Sequence, residues 1–279
     1  MNYFTTEAIT AFGQYLKIEE RSGGTIEKYL HDVRAFAAWL DGRPVTKEAV
    51  TDWKAHLLAE QYAPATINSM LAALNSLFRF LGWTGFPIKF LKIQRRMFRD
   101  SDKELKREEY ERLLVTAKER GQGRLALLME TIGGTGIRVS EVKYITVEAA
   151  GSGRAEISLK GKIRTILIPG RLCRKLLKYA KKNKIASGEI FLTRSGSSLS
   201  RKQIWAEMKA LCAAAGVESS KVFPHNLRHL FATVFYKACK DIAKLADVLG
   251  HSSVETTRIY LLTTGAEHAR QLDRLRLVC

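Results

Sequence analysis

The chain has 279 residues, and its 46 lysines and arginines outnumber its 28 acidic residues, which leaves a formal net charge of +18 at pH 7. That excess is unusual for an enzyme of small anions and favours a polyanionic partner, most simply nucleic acid. No apolar stretch approaches the ~18 residues of a membrane span. The four cysteines lack metal-ligand spacing, so a zinc protein is also disfavoured.

The charge is distributed unevenly along the chain. Residues 1–98 carry 12 basic and 9 acidic side chains, whereas residues 99–279 carry 34 and 19. The stronger positive field therefore belongs to the C-terminal part. Scattered cysteines favour a reducing compartment, and the N-terminus lacks the layout of a signal peptide. We therefore expect a cytoplasmic protein that associates with the nucleoid.

The first part of the chain has the periodicity of amphipathic helices. Four helices are predicted, over residues 1–20, from a cap at Thr25 to Leu40, from Thr46 through Leu58, and from Pro64 to Leu81. Helices of this kind can close into a small bundle, so residues 1–87 are assigned to one helical domain. Residues 88–102 are crowded with lysine and arginine, and we predict a basic linker that contacts DNA phosphates.

The second part of the chain combines helices with one strand region. Helices are predicted from Lys106 to about Ala117, Arg124 to Ile132, Leu172 to Lys184, Ser200 to Ala215, and Leu227 to Leu249. A tight bend at residues 133–136 would present Arg138, and two short strands, 156–159 and 164–168, would flank the turn Lys160-Gly161-Lys162. The predicted fold class is mainly α, with a small antiparallel β-sheet in a mixed α/β C-terminal domain.

The stretch from Pro224 to Tyr260 brings together residue types that can act on a phosphate. His225 and Arg228 are three residues apart, so they share one face of a helix and could together hold an oxyanion. Gly250 is placed to end the preceding helix in a left-handed conformation. Taken singly, each histidine or tyrosine of this kind is more often a packing residue, so the interpretation depends on the joint pattern.

His251 follows Gly250 directly and opens the next element. Ser252 or Ser253 can cap a helix over residues 254–262. Tyr260 lies late in that helix, nine residues after His251.

Three motifs then occur in a fixed order. They are Thr135-Gly136-Ile137-Arg138-Val139-Ser140-Glu141, the turn Lys160-Gly161-Lys162, and His225-Asn226-Leu227-Arg228-His229 followed by Leu249-Gly250-His251 and Tyr260. Their residues and order resemble those of the tyrosine recombinases, the phage-integrase family of site-specific DNA recombinases. The resemblance implies an enzyme that cleaves and rejoins DNA strands through a covalent 3′-phosphotyrosyl intermediate, for integration, excision or resolution, without metal or cofactor.

The resemblance also implies a role for each of six catalytic residues. These are Arg138 and Arg228 as guanidinium donors to the non-bridging phosphate oxygens, Tyr260 as the nucleophile, His225 as its base, His251 as a further donor, and Lys160 as the general acid that protonates the departing 5′ oxygen. The turn here is one residue shorter than the family's K-G-x-K-x-R pattern. Lys162 therefore stays open as the alternative to Lys160.

The domain roles follow from the same resemblance. Residues 1–87 would be a core-binding domain that grips DNA, residues 103–262 the catalytic domain, and residues 263–279 a tail that packs on a neighbouring subunit or folds back on its own domain. The implied partners are double-stranded DNA with specific recombination sites, further copies of the chain in a tetramer, and accessory DNA-bending proteins. A type IB topoisomerase-like nicking-closing enzyme, a non-catalytic DNA-binding relative and a phosphatase are the alternatives.

Overall fold

The computed structural model describes residues 2–94, 103–159, 162–251, 253–260, 270 and 273–275, without the side chains of Leu159 and Lys162. Within that part of the chain, residues cluster into two compact units, one on each side of the gap at 95–102. None of the helices described has the length and apolarity needed to cross a bilayer. The second half of the predicted linker and nearly all of the predicted C-terminal tail lie outside the described residues.

The first unit contains the four predicted helices, α1 (Thr6–Ile18), α2 (Gly23–Leu40), α3 (Lys47–Ala59) and α4 (Pro64–Phe80). The predicted cap of α2 is wrong, because the Ser22 hydroxyl accepts from the Thr25 amide and the helix begins at Gly23, two residues earlier than Thr25. Thr46, where the third helix was predicted to start, caps α3, and Pro64 occupies the first turn of α4, where its missing N–H costs no hydrogen bond.

The core of the first unit is rich in aromatic side chains. Phe12, Phe36 and Phe78 are fully buried, from α1, α2 and α4 respectively. Each buried side chain of this size contributes roughly 1.5–3 kcal/mol relative to an exposed one. α4 contributes more buried residues than any of the other three helices of this unit, and it packs against each of them.

Two asparagines on α4 hold an extended segment that the helical pattern did not predict. The Asn75 side chain accepts from the Ile88 amide and donates to the Ile88 carbonyl, and Asn68 makes the same pair of bonds with Leu91. Because the two asparagines are seven residues apart, they lie on one face of α4, two turns from each other. The first residues of the predicted linker therefore run along the first unit.

The second unit is also mainly helical, as predicted. Its elements are α5 (Arg107–Glu119), α6 (Gly123–Thr135), a 3-10 turn (Val139–Tyr144), α7 (Val147–Ser152), β1 (Arg154–Leu159), β2 (Lys162–Leu167), α8 (Gly170–Lys182), α9 (Arg201–Leu211), α10 (Pro224–Cys239), α11 (Ile242–Leu249), α12 (Val254–Thr257) and a 3-10 turn (Arg258–Tyr260). Its core includes Leu113, Leu128, Ile132, Leu176 and Met208.

β1 and β2 form the predicted antiparallel hairpin. Arg154 pairs with Leu167 at one end and Leu159 with Lys162 at the other. Ile157 and Ile166 are buried on its inner face. The turn residues between the strands, which include the predicted general acid Lys160, lie outside the described residues.

Several predicted boundaries in the second unit are wrong, among them the end of α9, which lies at Leu211 and not at Ala215. α6 continues through residues 133 and 134, because Gly133 packs directly against the Tyr110 ring and the helix ends only at Gly136, with φ 65°. The stretch 227–249 is not one helix, because Lys240 adopts φ 55° and Asp241 caps a new helix, α11, by accepting from the Lys244 amide. The predicted left-handed cap at Gly250 is confirmed, with φ 63°.

Ser253 caps α12 by accepting from the Glu255 amide. That helix is shorter than predicted, since it gives way at residue 258 to the 3-10 turn that carries Tyr260.

Gly136 is a glycine whose replacement is expected to be costly. A Cβ there would overlap the Phe231 ring, and alanine would also be strained at positive φ. We expect Gly136→Ala to lower the free energy of unfolding by roughly 3 kcal/mol. Gly153→Ala is the matched control, because φ is 75° there with open space around it, and it is expected to cost only about 1 kcal/mol. Urea unfolding followed by circular dichroism measures both, and equal midpoints would contradict the packing argument.

Candidate active site

The first part of the site is built where α6 ends. Gly136 turns the chain, and Arg138 then precedes the 3-10 turn Val139–Tyr144. The Glu141 carboxylate accepts from the Arg138 amide at 2.7 Å and from Arg138 Nη1 at 3.0 Å. Glu141 is buried, whereas the Arg138 side chain remains 41% exposed. Arg138 is thus oriented by a buried carboxylate and still accessible to a ligand.

Arg228 lies on α10 and is 2% exposed. Its Nη1 donates to the Gly136 carbonyl, and its Nη2 donates to the Leu249 carbonyl at 2.8 Å. Nη2 also lies 3.0 Å from Nε2 of His251. A buried guanidinium is strongly disfavoured unless its N–H groups are satisfied, so these acceptors fix the ends of α6 and α11 around Arg228.

The carbonyl end of α11 is contacted by three arginines. The Leu249 carbonyl accepts from Arg228 and from Arg164 Nη1. The Gly250 carbonyl lies 3.4 Å from Arg138 Nη2. Unsatisfied carbonyls make a helix C-terminus electronegative, so cations there are favourable. His251 follows directly after this anchored end, which places its imidazole beside Arg228.

The ring nitrogens of His251 have distinct roles in this arrangement. A guanidinium can only donate, so Nε2 accepts from Arg228. In the neutral ring the proton therefore lies on Nδ1, which is 2.8 Å from the hydroxyl of the buried Thr257. Desolvation lowers the pKa of His251 to about 4, and the charges of Arg228, Arg138 and Arg164 contribute to the same shift. The site therefore holds a neutral imidazole at pH 7.

His225 lies exposed near the N-terminus of α10, on the helix that carries Arg228. Desolvation lowers its pKa, and the charges of Arg228 and Arg138 lower it further. An imidazole with a lowered pKa is neutral at pH 7 and can accept a proton.

Tyr260 is buried against two imidazoles. Its ring centroid lies 6.1 Å from that of His251, in a nearly parallel stack, and 4.9 Å from that of His229, edge to face. The phenol also interacts with the Arg228 guanidinium, which partly offsets the lowering of the Arg228 pKa by desolvation. His229 in turn lies 3.8 Å from the Glu104 carboxylate. Tyr260, at the end of the 3-10 turn Arg258–Tyr260, is therefore adjacent to Arg228 and His251.

The structure thus brings together five of the six predicted site residues, Arg138, His225, Arg228, His251 and Tyr260. Lys160 lies outside the described residues, as does the side chain of its alternative, Lys162. Glu141 is the carboxylate nearest to the arginines, and its one negative charge leaves the cluster with Arg138, Arg164 and Arg228 formally at +2. Such a site favours a phosphate group.

Two residues of the site were not predicted from the sequence. They are Arg164, which bonds Glu141 and Leu249, and Thr257, which bonds His251. A signal for Arg164 existed in its place in the K-G-x-K-x-R pattern, whereas nothing local distinguishes Thr257 from any helical threonine. Among the described residues, no group of three or more histidine, cysteine or acidic side chains could hold a metal ion.

Comparison with known proteins decides the family. Residues 103–266 match the phage integrase family, and residues 9–85 match the N-terminal SAM-like domain of phage integrases. Tyrosine recombinase XerA of Thermococcus kodakarensis is 32% identical over 275 residues, which cover 95% of this chain and 93% of the relative. The chain belongs to the phage integrase family. Within it, tyrosine recombinase XerC of Roseiflexus castenholzii is 29% identical, over 91% of this chain and 88% of the relative.

Solved structures have the same fold as this phage integrase family member. A lambda integrase dimer bound to a COC' core site superposes with a TM-score of 0.74 at 18% identity, over 94% of this chain and 96% of that one. A crystal structure of XerA recombinase gives a TM-score of 0.53 at 22% identity, over 99% and 100%. The fold class predicted from the sequence is confirmed.

The lowered pKa of His251 has a measurable consequence. Its pKa falls from 6.5 to about 4 on folding, so between these values the unfolded chain binds a proton that the native protein does not. The stability contributed by neutral His251 is complete above pH 6.5 and is lost as the pH falls towards 4. An NMR titration of the imidazole resonances, with His251→Asn to assign the signal, should find one histidine that titrates near pH 4. A His251 signal that titrates near 6.5 would contradict the geometry.

Proposed function

We propose that this protein cleaves and rejoins DNA at specific sites with Tyr260 as the nucleophile. Family membership establishes the reaction class, which is site-specific DNA recombination by a tyrosine recombinase. The observation that supports the residue assignment is the adjacency of Tyr260, Arg228 and His251 at the carbonyl end of α11.

In the proposed reaction, the Tyr260 oxygen attacks the scissile phosphorus while the bond to the 5′ oxygen breaks. The phosphate then joins the 3′ end of the cut strand to the tyrosine, and the same steps in reverse rejoin a strand. Negative charge grows on the non-bridging oxygens in the transition state. Arg138 and Arg228 donate to those oxygens, because guanidinium groups keep their charge and bind in pairs of hydrogen bonds. One such preorganised donor contributes roughly 3–4 kcal/mol.

Two proton transfers accompany the cut. His225 takes the phenol proton, a role supported by its lowered pKa and by its place on the helix of Arg228. Lys160 gives a proton to the departing 5′ oxygen, so that it leaves as a hydroxyl. Lys162 is the alternative donor.

The role of His251 changes when DNA binds. Without DNA its Nε2 accepts from Arg228, so it cannot donate to a phosphate. A phosphate between the two groups would accept from Arg228 in its place, and its negative charge would raise the pKa of the imidazole. Protonated at Nε2, and still held through Nδ1 by Thr257, His251 would then donate to a non-bridging oxygen.

The domain assignment belongs to the same proposal. Residues 1–87 bind DNA, residues 88–102 link the units, residues 103–262 carry the chemistry, and residues 263–279 pack on a neighbouring subunit. Matches to XerH bound to difH and to a lambda integrase tetramer bound to a Holliday junction support specific DNA sites and a tetramer of this chain as partners. We also propose that accessory DNA-bending proteins assist the reaction and that the protein associates with the nucleoid.

The central test uses a nicked duplex that carries the sequence this protein selects from a random duplex pool. The nick lets the released 5′ fragment diffuse away, so the covalent complex accumulates. We expect the wild type to become joined to a 3′ end and Tyr260→Phe to form no adduct while its DNA affinity stays within about twofold, because only the hydroxyl is removed. An adduct with Tyr260→Phe would show that another residue is the nucleophile. Exchange between two intact site-bearing duplexes, as opposed to relaxation of supercoils alone, separates recombination from topoisomerase-like activity.

The general acid is tested by replacing the two lysines separately. Lys160→Ala is expected to slow single-turnover cleavage by at least about 10²-fold, the usual contribution of general acid catalysis. Lys162→Ala should slow it by much less, since that lysine would contact only the phosphate backbone. The reverse order of effects would assign the role to Lys162.

A further inference from the structure

Arg164 lies on β2, two residues beyond the end of the hairpin turn. Its side chain reaches two acceptors on separate segments of the site. Nη2 donates to Glu141 Oε2 at 2.6 Å, and Nη1 donates to the Leu249 carbonyl. The side chain is only 16% exposed. Arg164 therefore ties β2 both to the turn that holds Arg138 and to the end of α11.

The surroundings of Arg164 are closely fitted to its guanidinium. Gly250 sits against it at φ 63°, and any Cβ on Gly250 would overlap Nη1 and Cδ of Arg164. Nε of Arg164 is buried and has no hydrogen-bond partner among the described residues. A buried N–H without an acceptor is costly. The hydrogen bonds made by Nη1 and Nη2 offset that cost and keep the guanidinium buried.

We propose that Arg164 is a positioning residue for the general acid, because it ties β2, the strand that follows Lys160 in the chain, to the turn of Arg138 and to the end of α11. This inference rests on the proposed function, because it gives the hairpin the task of presenting the general acid. β2 begins at Lys162, two residues after Lys160 in the sequence, so the anchor at Arg164 lies four residues along the chain from the proposed general acid. Arg164 acts through the lysine and does not itself contact the reacting atoms.

An arginine is needed because the two acceptors belong to different segments. The planar guanidinium donates to both at once, whereas the single ammonium of a lysine has no comparable fork. Loss of Arg164 leaves each acceptor with another arginine, since Glu141 still pairs with Arg138 and Leu249 still accepts from Arg228. The hairpin is the segment that loses its anchor, so the variant is expected to fold.

The test compares two versions of the nicked duplex, one with the normal 5′ oxygen at the scissile phosphate and one with sulfur in its place. A thiolate is a much weaker base than an alkoxide, so sulfur leaves without being protonated and the general acid becomes unnecessary. We expect Arg164→Gln to cleave the oxygen substrate about 10²-fold more slowly, the scale of an ångström-sized misplacement. With the sulfur substrate its rate should return to within about fivefold of the wild-type rate. On the oxygen substrate, the rate of Arg164→Lys should lie between the rates of Arg164→Gln and the wild type.

Controls separate this effect from a general loss of structure. Arg154→Gln removes an exposed arginine from the neighbouring strand and should cleave both substrates at the wild-type rate. Arg138→Gln should cleave both substrates slowly, because it lacks a guanidinium donor to the non-bridging phosphate oxygens. A normal Arg164→Gln rate on the oxygen substrate, or an equal loss on both substrates, would overturn the proposal. If the wild type joins Tyr260 to neither substrate, the proposed function itself fails, whatever Arg164 does.

Discussion

The contact between Arg228 and the carbonyl end of α11 is the interaction on which the site depends. A guanidinium that is almost fully buried must find acceptors, or its charge costs several kcal/mol. Arg228 finds them in Gly136 at the end of α6 and in Leu249 and His251 at the end of α11, two segments that are far apart in the sequence. Satisfying one charge thus determines where α6 ends, where α11 ends and which way the His251 imidazole faces. The residues proposed to act on phosphate are positioned by the same hydrogen bonds that stabilise the buried charge of Arg228.

The electrostatic balance of the site follows from the same arrangement. Glu141 neutralises one charge, and desolvation together with the remaining positive field keeps His225 and His251 neutral in the absence of DNA. A bound phosphodiester would weaken that field locally, which favours protonation of His251 only when substrate is present. Burial of Tyr260 between the imidazoles of His229 and His251 keeps this proposed nucleophile beside Arg228.

The sequence pattern predicted the helices well where the information is local, and it pointed to residues that the structure places close together. Motif spacing identified Arg138 and Arg228, since their neighbours in the chain carry the signature. Contacts between distant segments were not predictable in this way. The paired bonds of Asn75 to residue 88 and of Arg164 to Leu249 depend on tertiary packing. The break at Lys240 was missed because apolar residues keep helical spacing across it, while the capping carboxylate of the next residue decides the boundary.

The claim that the guanidinium groups of Arg138 and Arg228 hold the scissile phosphate is tested most directly by a crystal structure of the Tyr260→Phe protein on its selected DNA site. The account predicts the scissile phosphate with its non-bridging oxygens at hydrogen-bond distance from both Arg138 and Arg228, and with His251 Nε2 turned from Arg228 to the phosphate. A phosphate that contacts neither arginine, in its own subunit or in a neighbouring one, would contradict the account.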